Sequence, residues 1–97
     1  MAKGYWVGHV DVDDAEAYEA YKSANAAPFK TFGARFLVRG GQQVVREGTM
    51  RKRAVVLEFD SVEAATACYD SAEYQAAKAL RDPISRADMI IVEGYDG

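Results

Sequence analysis

The alternation of apolar and polar positions divides the chain into extended and helical stretches. Tyr5–Val12 (YWVGHVDV) is aromatic and β-branched and reads as a strand. Asp13-Asp14 follows as a helix N-cap, with Glu16 in the first turn, where the helix dipole favours an anion. Ala17, Tyr18, Tyr21 and Ala24 then form one apolar stripe at helical spacing. Pro28 ends or restarts this helix. Phe29 and Phe32 continue the packing, and Gly33 is placed to terminate it. Ala34–Arg39 is the second strand, Gly40-Gly41 a bulge or bend, and Val44–Glu47 a return to extended pairing. Arg53–Phe59 (RAVVLEF) is the third strand. An echo follows, DSVEAA at 60–65 and DSAEYQAA at 70–77. Each D-x-x-E is a capping-box variant with Asp60 or Asp70 at the cap, so the region is two helices or one helix broken near Asp70-Ser71. Pro83 stops it, and Met89–Glu93 is the fourth strand.

The order β-α-β-β-α-β predicts a single α+β domain over residues 1–97 with a ferredoxin-like fold: a four-stranded antiparallel sheet carrying two helices on one face. Strand parity puts Val10, Val12, Phe36, Val38, Val55, Leu57, Phe59, Ile90 and Val92 under the helices. The other face then carries Tyr5, Val7, His9 and Asp11; Arg35, Leu37 and Arg39; Ala54, Val56 and Glu58; Met89, Ile91 and Glu93. That set is too apolar for a solvated face and too ionisable for a plain core. It predicts a homodimer packed sheet to sheet, with a partly enclosed polar cavity.

Composition narrows the partners. The 97 residues are 49% apolar and 28% charged, a globular balance. A net charge of −3 argues against nucleic acid as the main partner, and the short basic run Met50-Arg51-Lys52-Arg53 reads as a solvated turn. No apolar run approaches the roughly 20 residues that span a membrane, so none is expected as a partner. Cys68 is the one cysteine, which rules out an internal disulfide and reads as a small buried residue. A strand beginning almost at once after Met-Ala-Lys-Gly leaves no room for a signal peptide, and a cytoplasmic setting is expected.

The segments KGYWV, DVDDAEAY, FGARFLVRGG, the following REG, VVLEFDS, and DSAEYQAA with IIVEG together resemble the DUF1330 family of small bacterial proteins, from Lys3 to Gly94. The resemblance implies a ferredoxin-like fold within the dimeric α/β-barrel superfamily. It implies no chemistry, because the family has no assigned function and fold does not fix function.

The candidate chemistry therefore comes from the residues. Arg39 is a guanidinium suited to a carboxylate ligand, or else the partner of Glu58 or Glu93 across the sheet. Arg35 is a weaker second anion contact or a solvated strand end. His9, the one histidine, is a candidate general base beside Glu58, or else a hydrogen-bonded interface residue. Glu58 follows apolar residues on a central strand, where a carboxylate is either paired or raised in pKa. Tyr5 and Tyr21, with Trp6 and Tyr18, line an aromatic pocket or are plain core. One histidine with scattered carboxylates offers no metal set, no axial haem ligand stands out, and Gly40-Gly41 leads to more strand rather than to a phosphate-binding helix. No cofactor or metal is expected. Two functions fit: a cofactor-free enzyme or binding protein for a small anionic or aromatic metabolite, with His9 and Glu58 catalytic and Arg39, Arg35, Tyr5 and Tyr21 on the substrate, or a non-enzymatic dimeric module, regulatory or stress-linked.

Overall fold

In a computed structural model, which describes residues 2–97, the chain forms one antiparallel sheet with its helices on a single face. Four strands, β1 (Gly4–Val12), β2 (Arg35–Arg39), β3 (Arg53–Phe59) and β4 (Ser85–Glu93), lie in the order β2-β3-β1-β4. This is the predicted ferredoxin-like α+β arrangement. The helices come in two pairs: α1 (Ala15–Ala24) with α2 (Ala26–Thr31), and α3 (Val62–Asp70) with α4 (Ala72–Arg81). Among the described residues no helix is long and apolar enough to cross a membrane.

The helix starts follow local chemistry. Asp14 caps α1, its carboxylate accepting from the Ala17 amide at 3.0 Å. The D-S echo works through its serines rather than its aspartates. Ser61 and Ser71 are the caps of α3 and α4, accepting from the Ala64 and Tyr74 amides at 3.0 and 3.1 Å. Gly33, at φ 70°, ends the first helical pair.

Trp6 is the centre of the core. It is 2% exposed, ringed by Phe29, Phe59, Tyr69 and Tyr74 at centroid distances of 4.8–5.7 Å, and its indole N–H donates to the Ala65 carbonyl at 2.9 Å. This aromatic cluster fastens α2, α3 and α4 to the two inner strands, β1 and β3.

Three expectations about the sheet are corrected. β4 begins at Ser85, four residues before Met89, and its faces are reversed. Gly8 pairs with Met89 and Trp6 with Ile91, so Met89 and Ile91 lie under the helices while Ile90 and Val92 point outward, 58% and 41% exposed. In β2 a bulge falls between Phe36 and Val38. Before it Phe36 pairs with Leu57 on the helix side; after it Val38 pairs with Val56 on the outer side. Arg39, paired with Val55, is thereby turned beneath the helices, away from the face that carries Arg35. Val44–Glu47 does not pair: residues 40–52 form a loop, held at its far end where Arg51 bonds Asp11 and Asp88 at 3.0 and 2.9 Å.

Candidate functional site

The sheet brings the sequence-predicted site residues into two groups on opposite faces. On the outer face Glu58 accepts from the Tyr5 hydroxyl at 2.8 Å and from Arg35 at 3.0 Å; Arg35 also reaches Asp60 at 3.2 Å. These bonds hold the Glu58 carboxyl below its usual range, the Tyr5 hydroxyl first and Arg35 second. The hydrogen bond to Glu58 likewise raises the Tyr5 phenol. His9 is not part of this network. It sits four residues along β1 from Tyr5, about 13 Å at strand rise, opposite Ala54 and Asp88.

Arg39 and Tyr21 lie instead on the helix side, where both line a cavity of about 40 Å³ between the sheet and the helices. Gly8, at the middle of β1, lies in its lining. Trp6, Phe36, Val55 and Leu57 supply apolar wall. The polar lining is cationic: Lys22, Arg39, Arg53 and Arg81, and no carboxylate. Each guanidinium lies near an aromatic ring, Arg39 at 4.1 Å from the Phe36 centroid, Arg53 at 5.4 Å from Tyr18 and Arg81 at 5.4 Å from Tyr21. Arg81 is buried with an ion-pair contact to Asp82 at 3.6 Å, and Lys22 pairs with Glu19. Arg39 and Arg53 have no carboxylate partner among the described residues. Arg39 is exposed at the mouth; Arg81 and Asn25 are deep.

The Tyr21 and Tyr74 hydroxyls bond each other at 2.8 Å in the buried wall. Burial raises the Tyr74 and Tyr18 phenols, so both remain neutral donors well above neutral pH. Burial alone would lower the Arg81 guanidinium, but the Tyr74 and Tyr21 oxygens outweigh it and the group is raised. Among the described residues two side-chain polar atoms are buried without a hydrogen-bond partner, Asn25 Oδ1 and Arg53 Nε, and both belong to residues lining this cavity. Among the described residues no group of three or more His, Cys, Asp or Glu side chains is placed to hold a metal.

Of the polar lining residues, Lys22, Asn25, Arg53, Tyr74 and Arg81 lie outside the sequence-predicted set. For Asn25, Arg53 and Arg81 the signal is a polar residue in an apolar register. Arg53 shares parity with Val55, Leu57 and Phe59; Asn25 continues the Tyr18–Tyr21 stripe; Arg81 continues the buried Tyr74–Ala77 stripe of α4.

The family model "Domain of unknown function (DUF1330)" matches residues 3–95, and the chain belongs to this family. No functionally curated protein matches the sequence. Among solved structures the chain is similar to RPA0582, a protein of unknown function from Rhodopseudomonas palustris, with 17% identity, a TM-score of 0.77, and coverage of 99% of this chain and 85% of that one. It is similar to SnoaB, a cofactor-independent oxygenase from Streptomyces nogalater, with 13% identity, a TM-score of 0.64, and coverage of 100% and 97%. A dimeric ferredoxin-like protein of unknown function from Thermobifida fusca matches with 16% identity, a TM-score of 0.55, and coverage of 95% and 89%. At these identities the likeness is one of fold.

Proposed function

We propose that this DUF1330 domain binds a small organic anion in the cavity between helices and sheet, as a homodimer joined through the outer sheet face. The observation that carries the reading is the lining itself. A chain of net charge −3 gathers three arginines and a lysine around one cavity, with Arg39 and Arg53 lacking carboxylate partners. The buried Arg53 Nε–H beside apolar wall is costly unless an acceptor completes it. The volume of about 40 Å³ suits a carboxylate head or one or two waters, not a drug-sized molecule. The apolar or aromatic remainder of a ligand would extend toward Arg39 at the mouth.

The ionisable lining groups are arginines, a lysine and phenols, with no carboxylate or histidine among them. This supports binding over general-base chemistry, and with it the non-enzymatic dimeric module over an enzyme. Arg39 and Tyr21 belong to this site; Tyr5, Arg35, Glu58 and His9 belong to the dimer face. A single free, buried cysteine fits a reducing compartment such as the cytoplasm.

Trp6, the one tryptophan, lines the cavity and reports on it. Titration with benzoate changes its fluorescence saturably, the neutral analogue benzamide does not, and added salt weakens the benzoate response. Arg39→Ala weakens binding by about tenfold, the scale of one hydrogen bond to a charged group. A Cβ at Gly8 would lie 3.5 Å from the Met89 Cγ, an ordinary contact, so Gly8→Ala folds but narrows the cavity and weakens benzoate. Equal binding in Arg39→Ala would make that arginine structural. If no carboxylate perturbs Trp6, the anion reading is wrong.

A further inference from the structure

The two unpartnered atoms of the cavity are opposite in kind. Asn25 is 3% exposed, and its Oδ1 is a hydrogen-bond acceptor with no donor. Arg53 Nε is a buried donor with no acceptor. In native folds such atoms find a partner in protein, water or ligand. That both line the same cavity is unlike a scatter of packing defects. A bare carboxylate satisfies Arg53 but offers the Asn25 Oδ1 no donor. An anion that also carries an O–H or N–H satisfies both.

Resting on the anion-binding reading above, we infer that Asn25 is a specificity residue and that the ligand class is a hydroxy acid, or an acid bearing N–H in the same place. Its carboxylate takes the Arg53 Nε–H, and its hydroxyl donates to Asn25 Oδ1. Discrimination of this kind is strong, since the analogue lacking the hydroxyl strands a buried acceptor. The chain places the pair well for it. Asn25 sits at the junction of α1 and α2, one turn beyond Tyr21, and Arg53 opens β3 on the facing sheet. Gly40 helps hold Arg53: at φ 72° it packs so closely on the guanidinium that a Cβ there would collide with it.

The test compares matched pairs, mandelate with phenylacetate and lactate with propionate, by calorimetry on the wild-type protein and on Asn25→Leu. Leucine keeps the branched shape of the side chain and removes the unmet polar atom. The expected result is hydroxy-acid binding at least about tenfold tighter than the deoxy analogue in wild type, with that ratio falling to about one in Asn25→Leu. In the wild-type protein the Asn25 side-chain amide resonance shifts with mandelate and not with phenylacetate, a readout that survives if the variant fails to fold. Equal binding of each pair, or a ratio retained in Asn25→Leu, overturns this inference and leaves the anion site standing. Failure of all four acids to bind overturns both.

Discussion

Gly4 fixes the approach of β1 to α3. A Cβ there would collide with the backbone carbonyl of Ser61, the cap of α3, and backbone cannot give way as a side-chain tip can. Gly4→Ala is therefore expected to destabilise by about 1–3 kcal/mol, the range for overpacking, measured by urea unfolding. Cys68 makes a complementary case. It is fully buried, and burial pushes its thiol up to about 12. The native protein should not react with a thiol reagent at neutral pH, and the urea-unfolded chain should react stoichiometrically; rapid native labelling would contradict its place in the core. Cys68, Trp6 and Tyr21 could be read from the sequence because burial follows composition and helical spacing. Arg39 could not be placed that way. Parity is a running count, and the single extra residue near Leu37 reverses every assignment after it. Only the glycine pair at 40–41 hinted at irregularity, and it lies past the bulge.

At the scale of elements, the outer ends of β1, β2 and β3 are tied by one polar network: Tyr5, Arg35, Glu58 and Asp60, with Lys3 on Asp60 at 3.4 Å. Glu58 and Asp60 both have pKa values below their ordinary ones, set chiefly by Tyr5 and Arg35 for the first and by Arg35 and Lys3 for the second. A carboxylate whose pKa falls on folding contributes stability that is full above its unfolded value, 4.5 for Glu58, and is lost as pH falls through the folded one. The Tyr5 phenol runs the other way: raised in the fold, it contributes below its unfolded value of 10.0 and loses that contribution in stronger alkali. Thermal melts should thus show a Tm that declines from about pH 6 to about pH 3, and Glu58→Gln should decline less steeply over the same window. Parallel curves for the two proteins would mean that the network adds nothing to folding. The strands themselves were legible from β-branched runs, and β3 has the predicted ends. β4 was longer than its apolar part because Ser85, Arg86 and Asp88 pair with β1 despite their polarity. Arg86 and Asp88 lie on the outward face, and polar residues there carry no signal strong enough to extend the strand by sequence alone.

The whole molecule is a plate, 38 × 36 × 16 Å across its Cα atoms, with helices on one side and a bare sheet on the other. Across that bare face runs one apolar row that crosses every strand: Val38 beside Val56, Val56 beside Val7, and Val7 beside Ile90. Ionised rows flank it, Arg35 and Glu58 on one side and Asp11, Arg86 and Asp88 on the other. Apolar centre and polar rim is the anatomy of an interface. Four strands about 4.8 Å apart and up to about 30 Å long offer roughly 500 Å² per protomer, about 1,000 Å² for a pair, which is the lower bound for a specific contact. Two-fold packing places each substituted residue against the same surface of its partner, so one added charge is felt twice. Light scattering at micromolar concentration should therefore give twice the 10.6 kDa chain mass for wild type and a single chain mass for Val7→Lys. Val7 lies on the far side of β1 from the cavity residues Trp6 and Gly8, so the variant's monomer should still quench Trp6 with benzoate. A wild-type monomer would refute the sheet-to-sheet dimer. A Val7→Lys monomer that no longer binds benzoate would show instead that the two faces are coupled, and that the anion site needs the partner subunit to hold the sheet in place.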